Sequence, residues 1–233
     1  MTLLTTAQEI LKQTKEAVIP STIIGNNNAN QILEAMKLAV VSASRAYEWQ
    51  ELQKEHTFAS VASTVGYALP SDYDSMINDT FWNSTNNQKV LGPKSPKEWR
   101  WLNNSTASNA SSSDYFRIRD NETQIFPTPS SVENFVYEYM SNLIVEDSGG
   151  TGQTGWQADT DVPVIDEYLV KLNATWIFLK MQGRPYAEEQ REYDLAAAER
   201  ASVNGARETI YHTGSLSSLD KSKIGYPDLV PSA

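Results

Sequence analysis

Apolar positions recur with a period near four at both ends of the chain and with a period of two in the middle. Ala7, Ile10, Leu11, Thr14 and Val18 predict a helix from Thr5 to about Val18, capped by Thr5 or Thr6. Pro20 and Gly25-Asn-Asn-Asn28 end it. Leu33, Met36, Val40, Ala43 and Tyr47 predict a second helix over about Asn30–Leu52. Its small positions, Ala39, Ser42, Ala43 and Ala46, let another helix approach closely.

The period changes at His56. Thr57-Phe-Ala-Ser-Val61 and Val65-Gly-Tyr-Ala-Leu69 read as a pair of short strands, with a turn at Pro70-Ser-Asp72. Tyr115–Arg119 and Glu122–Phe126 flank Asp120-Asn121, a hairpin signal. Asn134–Met140 alternates and adds a strand. A Pro-rich turn spans Leu91–Trp99, and Asn103–Ser113 reads as a polar loop.

A Gly-rich segment, Ser148–Gly155, leads back to helix. Asp161-Val-Pro163 predicts the start of a third helix, with Ile165, Tyr168, Leu169, Leu172, Trp176 and Leu179 on its stripe. Gly183-Arg-Pro185 breaks it, and Tyr186 to about Arg207 follows as a charged helix with Tyr193, Ala197 and Ala201 inward. Tyr47, Trp49, Tyr168 and Trp176 are expected in the core.

The expected fold is therefore α+β: an antiparallel helical bundle from both chain ends, interrupted by a sandwich- or barrel-like β insertion and followed by an extended tail. The expected divisions are 1–53 plus 156–209 for the bundle, 54–142 for the insertion, 143–155 for a linker and 210–233 for the tail.

Charge narrows the function. With 19 Lys+Arg against 29 Asp+Glu, the 233-residue chain carries a net −10. Its pI near 4.7 disfavours a dedicated nucleic-acid binder. Cysteine is missing, which removes disulfides, thiolate zinc sites and Cys nucleophiles. The opening residues carry no basic region ahead of an apolar run, so no secretory leader is expected. No apolar stretch approaches the ~20 residues of a membrane span.

Catalytic and cofactor motifs fare poorly. His56 and His212 are the two histidines, and neither sits in a nucleophile context. Gly150-Thr-Gly-Gln-Thr-Gly155 matches the dinucleotide fingerprint only formally, because Val170, Lys171 and Leu172 stand where its acid belongs. Asp159, Asp161 and Asp166, near Glu146-Asp147, offer oxygens to a hard cation but lack a calcium loop's spacing; helix capping is the better reading. No catalytic residue, metal ligand or cofactor is expected. Lys94–Trp101 interleaves basic and aromatic residues, and a Pro-started helix anchored by Trp99 or Trp101 explains it better than a single-strand platform.

Several segments, in order, carry a resemblance. They are Arg45-Ala-Tyr-Glu-Trp-Gln50, Tyr67-Ala-Leu-Pro-Ser-Asp-Tyr-Asp-Ser-Met76, Phe81-Trp82 and Leu91-Gly-Pro-Lys-Ser-Pro-Lys-Glu-Trp99. Phe116-Arg-Ile-Arg119, Ile125-Phe-Pro-Thr-Pro129, Phe135-Val-Tyr-Glu-Tyr139 and Gly183-Arg-Pro-Tyr-Ala-Glu-Glu189 complete the set. From about Leu3 to Arg207 the chain resembles the phage head-to-tail adaptors, especially the tail tubular protein A (gatekeeper) type of short-tailed phages.

The resemblance implies a structural virion protein: a dodecameric ring beneath the portal and part of the DNA conduit. It implies a second copy, the portal, a distal tail or nozzle protein and passing genomic DNA as partners, and no membrane. The apolar tail residues Ile210, Tyr211, Leu216, Leu219, Ile224, Tyr226, Leu229 and Val230 are the candidate portal contacts. Trp82, Pro93, Trp99 and Trp101 are the candidate contacts to the distal tail protein. The alternative is a glycan-binding or glycan-degrading tail module presenting Trp82, Trp99, Trp101 or Trp156.

Overall fold

Thr2, not Thr5 or Thr6, caps the first helix. The computed structural model describes residues 1–104 and 113–204. In it α1 spans Leu3–Gln13, and the Thr2 and Thr5 side chains cap each other's backbone N–H reciprocally. The helix stops earlier than Val18 because Lys15 turns left-handed at φ 59°. There Lys15 N donates to Lys12 O and Glu16 N to Leu11 O, a Schellman closure. Val18 is left 69% exposed.

The second helix, α2, covers Asn30–Ala46 and also ends short of the expected Leu52. Tyr47 goes extended, and Trp49 folds back so that its indole N–H donates to Ala43 O at 2.8 Å. Tyr47 meets Trp49 edge-on, which accounts for the Arg45–Gln50 segment as a helix exit.

The β region holds two sheets. In the first, β8 (Asn134–Ser141) is central. All of β1 (Gln53–Ala59) runs along one edge, while β3 (Tyr73–Met76) and β4 (Trp82–Asn83) share the other; β5 (Gln88–Lys89) pairs with β4. The second sheet orders β2 (Gly66–Ala68), β7 (Glu122–Phe126) and β6 (Tyr115–Arg119). The two short strands expected at 57–61 and 65–69 fall at 53–59 and 66–68 and belong to different sheets, because the long alternating β8 offers β1 a complete seven-residue partner. The 115–126 hairpin stands as expected, with Asp120 and Asn121 both left-handed. The sheets do not close into a barrel.

Gly92 explains the Leu91–Trp99 segment. Leu91 N donates to Asp114 O, Phe116 N to Leu91 O and Lys94 N to Phe116 O, so residues 91–94 lie along the edge of β6. A Cβ on Gly92 would stand 2.5 Å from Phe116 O.

Between the sheets lies an aromatic core of Phe81, Phe116, Phe135, Tyr137 and Tyr139, with Leu69, Val90 and Ile125. Phe81 and Phe116 meet edge-on at 4.8 Å. Alternation along β8 sends Phe135, Tyr137 and Tyr139 into this core and Met140 into the other, helical one.

The 143–163 stretch is not a bare linker. Val145–Glu146 (β9), Gly152–Gln153 (β10) and Val162–Pro163 (β11) form a third small sheet. Asp161-Val-Pro163 therefore lies in and beside a strand, and α4 (Glu167–Met181) starts later, capped by Asp166 through Tyr168 N. Ile144, Val145 and Trp156 join the helical core, and the Trp156 indole N–H donates to Met36 O.

Helix α4 packs on α2, α1 and α5 (Ala187–Asn204), so most of its circumference is buried. Ala35, Ala39 and Ala43 are fully covered on α2 and bring α4 close. Tyr193, Ala197 and Ala201 of α5 face this core as expected. Tyr168 does not: it is 52% exposed at the first turn of α4, correcting its place in the core set.

Candidate functional site

Trp82 sits between Phe81 and Asn83, both buried, and strand alternation turns it outward, 39% exposed. Its neighbour Lys89 is held by Asp79 at 2.7 Å. Pro93 is exposed and lines a cavity of about 120 Å³ with Tyr73, Met76, Phe81 and Ile118. These two candidate contacts are available to a partner.

Trp99 is not. Helix α3 (Pro96–Asn104) opens with a capping box in which Ser95 N donates to Glu98 and Glu98 N donates to Ser95 Oγ. That start fixes the helix phase: Trp99 and Leu102 turn inward, Arg100 and Trp101 outward. Trp99 is 5% exposed, edge-on to Phe126, with the Arg117 guanidinium 4.6 Å over its ring. It anchors α3 to the second sheet and is corrected from contact residue to internal anchor. Trp101, 64% exposed on the same helix, stays a surface candidate.

Among the residues offered to sugar by the glycan alternative, Trp156 is likewise internal at 7% exposure. The apolar tail candidates Ile210, Tyr211, Leu216, Leu219, Ile224, Tyr226, Leu229 and Val230, together with His212, lie outside the described residues.

Three of the acids that could have held a cation accept backbone N–H groups, although Asp161 Oδ1 is left buried without a partner. Asp159 accepts from Ile23 N and Ile24 N, and Asp161 from Gln157 N and Ala158 N. Asp147 accepts from Gly149 N and Thr151 N, and these bonds hold its carboxyl below the usual range. Among the described residues no group of three or more His, Cys, Asp or Glu is placed to hold a metal. His56 packs on Phe58 and Tyr137; burial pushes its imidazole pKa down, against the Asp72 charge.

Asn173, which the sequence pattern left unremarked, and Arg184, in the Gly183-Arg-Pro185 break, join the helices. Asn173, fully buried on α4, donates to Ala39 O at 2.8 Å and Ser42 Oγ at 2.7 Å, and accepts from the Trp176 indole. Gly183, at φ +69°, closes α4; Arg184 then donates to Thr14 O and Glu16, on the C-terminal end of α1. A larger groove, about 560 Å³, opens between the end of α2 and the first sheet; Tyr47, Leu52, Met140 and Ile144 are in its lining.

Among the described residues no helix is long and apolar enough to cross a membrane. The comparison with curated proteins gives no match. A family model described as SU10 adaptor protein matches residues 1–216. The chain therefore belongs to the SU10 adaptor family, a family of structural phage head-to-tail adaptors whose place is the virion.

Proposed function

We propose that copies of this chain form a closed, dodecameric ring joining the portal to the tail and lining part of the DNA conduit. The family match over residues 1–216 is the observation that carries this reading. The helical unit, 1–53 plus 156–209, packs side by side around the ring through heterologous contacts that close on themselves. The β unit, 54–142, meets the distal tail or nozzle protein through the surface that includes Trp82, Pro93 and Trp101, with Trp99 fixing α3 from within. Residues 143–155 go with the helical unit, since Ile144 and Val145 are part of its core.

The tail, 210–233, supplies the portal contact through its apolar residues from Ile210 to Val230. The net charge of −10 favours passage over capture, because a conduit of the same sign as phosphate repels DNA instead of binding it. Deleting the residues after Ile210 tests the portal assignment: the variant loses portal attachment and keeps cooperative, helical unfolding. Undiminished portal binding by that variant would overturn it.

A further inference from the structure

Two strands carry the β unit away from the helical core. β1 leaves that core at Leu52 and β8 returns to it at Met140, the pair running antiparallel from Gln53↔Met140 to Ala59↔Asn134. At about 3.3 Å per residue, their far ends stand roughly 20 Å from the core. Loops 60–65, 84–87 and 127–133 meet there as a tip. Ser60 N donates to Glu133 O, Ser63 N to Pro129 O and Ser84 N to Asn134 O.

The tip carries no charge. The segments that supply it, 57–71, 80–88 and 123–132, hold no Asp, Glu, Lys or Arg in a chain that is 21% charged. Glu133, at its border, is held by the Asn83 and Asn86 amides at 2.7 and 3.1 Å. The tip shows apolar surface instead: Val61 and Val132 are 59% and 68% exposed, and Val65 is exposed as well. It is also fixed in shape. The Tyr67 hydroxyl accepts from Val61 N and donates to Thr64 O, while Ser60 Oγ donates to Ser131 O and accepts from Glu133 N. Loops ordered in advance lose little entropy on contact.

Size and charge together identify the occupant. Three valines on narrow loops fall short of the roughly 800 Å² per partner that a stable pairwise interface buries. Such a contact gains strength by repetition around a closed assembly. Copies that each carry −10 repel where they crowd, and a residue near a rotation axis faces its own equivalents, so a charge there meets like charge. A charge-free valine tip removes that repulsion. With no basic residue in these segments, the tip offers nothing to phosphate or to an anionic lipid surface.

We propose that the tips of neighbouring copies of this chain pack against one another, gathering Val61, Val65 and Val132 into an apolar collar at the end of the ring away from the helical units. The collar rests on the ring proposed above.

The chain has no cysteine, so single thiols can be placed at chosen sites. Val61→Cys and Val132→Cys are made separately in the full chain. Ser75→Cys serves as control, exposed on β3 at the core end of the first sheet. Each is treated with a short bis-maleimide, alone and with portal rings, and sedimentation of the same samples reads association. The proposal expects covalent dimers at least ten-fold faster from both tip positions than from Ser75→Cys. Equal rates in samples that associate overturn the collar and leave the ring standing. Samples that do not associate at all overturn the ring, and the collar with it.

A second variant joins Val61→Asp to Val132→Asp. Both positions are exposed, so the unfolding midpoint stays in place while self-association weakens at least ten-fold. Unchanged self-association overturns the proposal; if binding of the distal tail protein is lost instead, the tip belongs to that partner.

Discussion

Tyr139 Oη donates to Asp72 Oδ1 at 2.9 Å, joining the turn before β3 to the middle of the first sheet. Ser141 Oγ and Lys54 Nζ converge on the other oxygen, at 2.9 and 2.7 Å. One carboxylate thereby links β1, β3 and β8, which explains the Pro70-Ser-Asp72-Tyr segment structurally. Burial alone would raise the Asp72 carboxyl, but the three hydrogen bonds and the Lys54 charge outweigh it and hold the pKa at about 2.

Asp72→Asn should therefore lower stability at neutral pH by about 1.5–3 kcal/mol, the range for hydrogen bonds to a charged group. The folded pKa of about 2 lies below the unfolded value of about 3.9, so this contribution is whole above pH ~4 and fades as pH falls toward 2. Urea unfolding of both proteins from pH 7 down to the lowest pH they tolerate checks it: the gap between them narrows with acid.

Asn173→Ala leaves the Trp176 indole N–H and the Ser42 hydroxyl without their shared partner and opens a gap between α2 and α4. The expected loss is about 2–4 kcal/mol. Denaturant midpoints followed by helical circular dichroism measure it, and an unchanged midpoint would remove Asn173 as the latch between the two helices.

Lys15 is exposed and holds a left-handed conformation at the end of α1. Lys15→Gly keeps the Schellman hydrogen bonds, which are backbone, and relieves the Cβ strain. Stability should rise by about 0.5–1 kcal/mol. Thermal unfolding reads this directly as a higher Tm.

The two tryptophans of α3 separate folding from contact. Trp99→Ala should cost about 3–5 kcal/mol, and Trp101→Ala less than about 0.5 kcal/mol. Under the proposed function, Trp101→Ala and Trp82→Ala reduce binding to the distal tail protein while leaving the unfolding midpoint in place. Paired unfolding and pull-down measurements distinguish the two kinds of effect.

Local signals made the helices and the 115–126 hairpin legible, because periodicity, Asp120-Asn121 and the Gly183-Arg-Pro185 break act through neighbours in sequence. What escaped depended on distant partners. The two-residue strands β4, β5, β9, β10 and β11 are too short to show a period, and they exist because β8 and the helical core receive them. Helix ends escaped for a related reason: Thr2, Lys15 and Asp166 set them through cap geometry, which the apolar stripe does not record. Trp99 and Trp101 illustrate the site. Both are plausible contacts in sequence, and the Ser95–Glu98 capping box decides which faces outward. The segments that carried the resemblance contain structural nodes, Asp72, Gly92 and Arg184 among them.

The most direct test of the account is negative-stain imaging of the purified protein, alone and mixed with portal rings. The account predicts closed rings stacked on the portal in the mixture. Single subunits in both samples, with portal rings left bare, would contradict it.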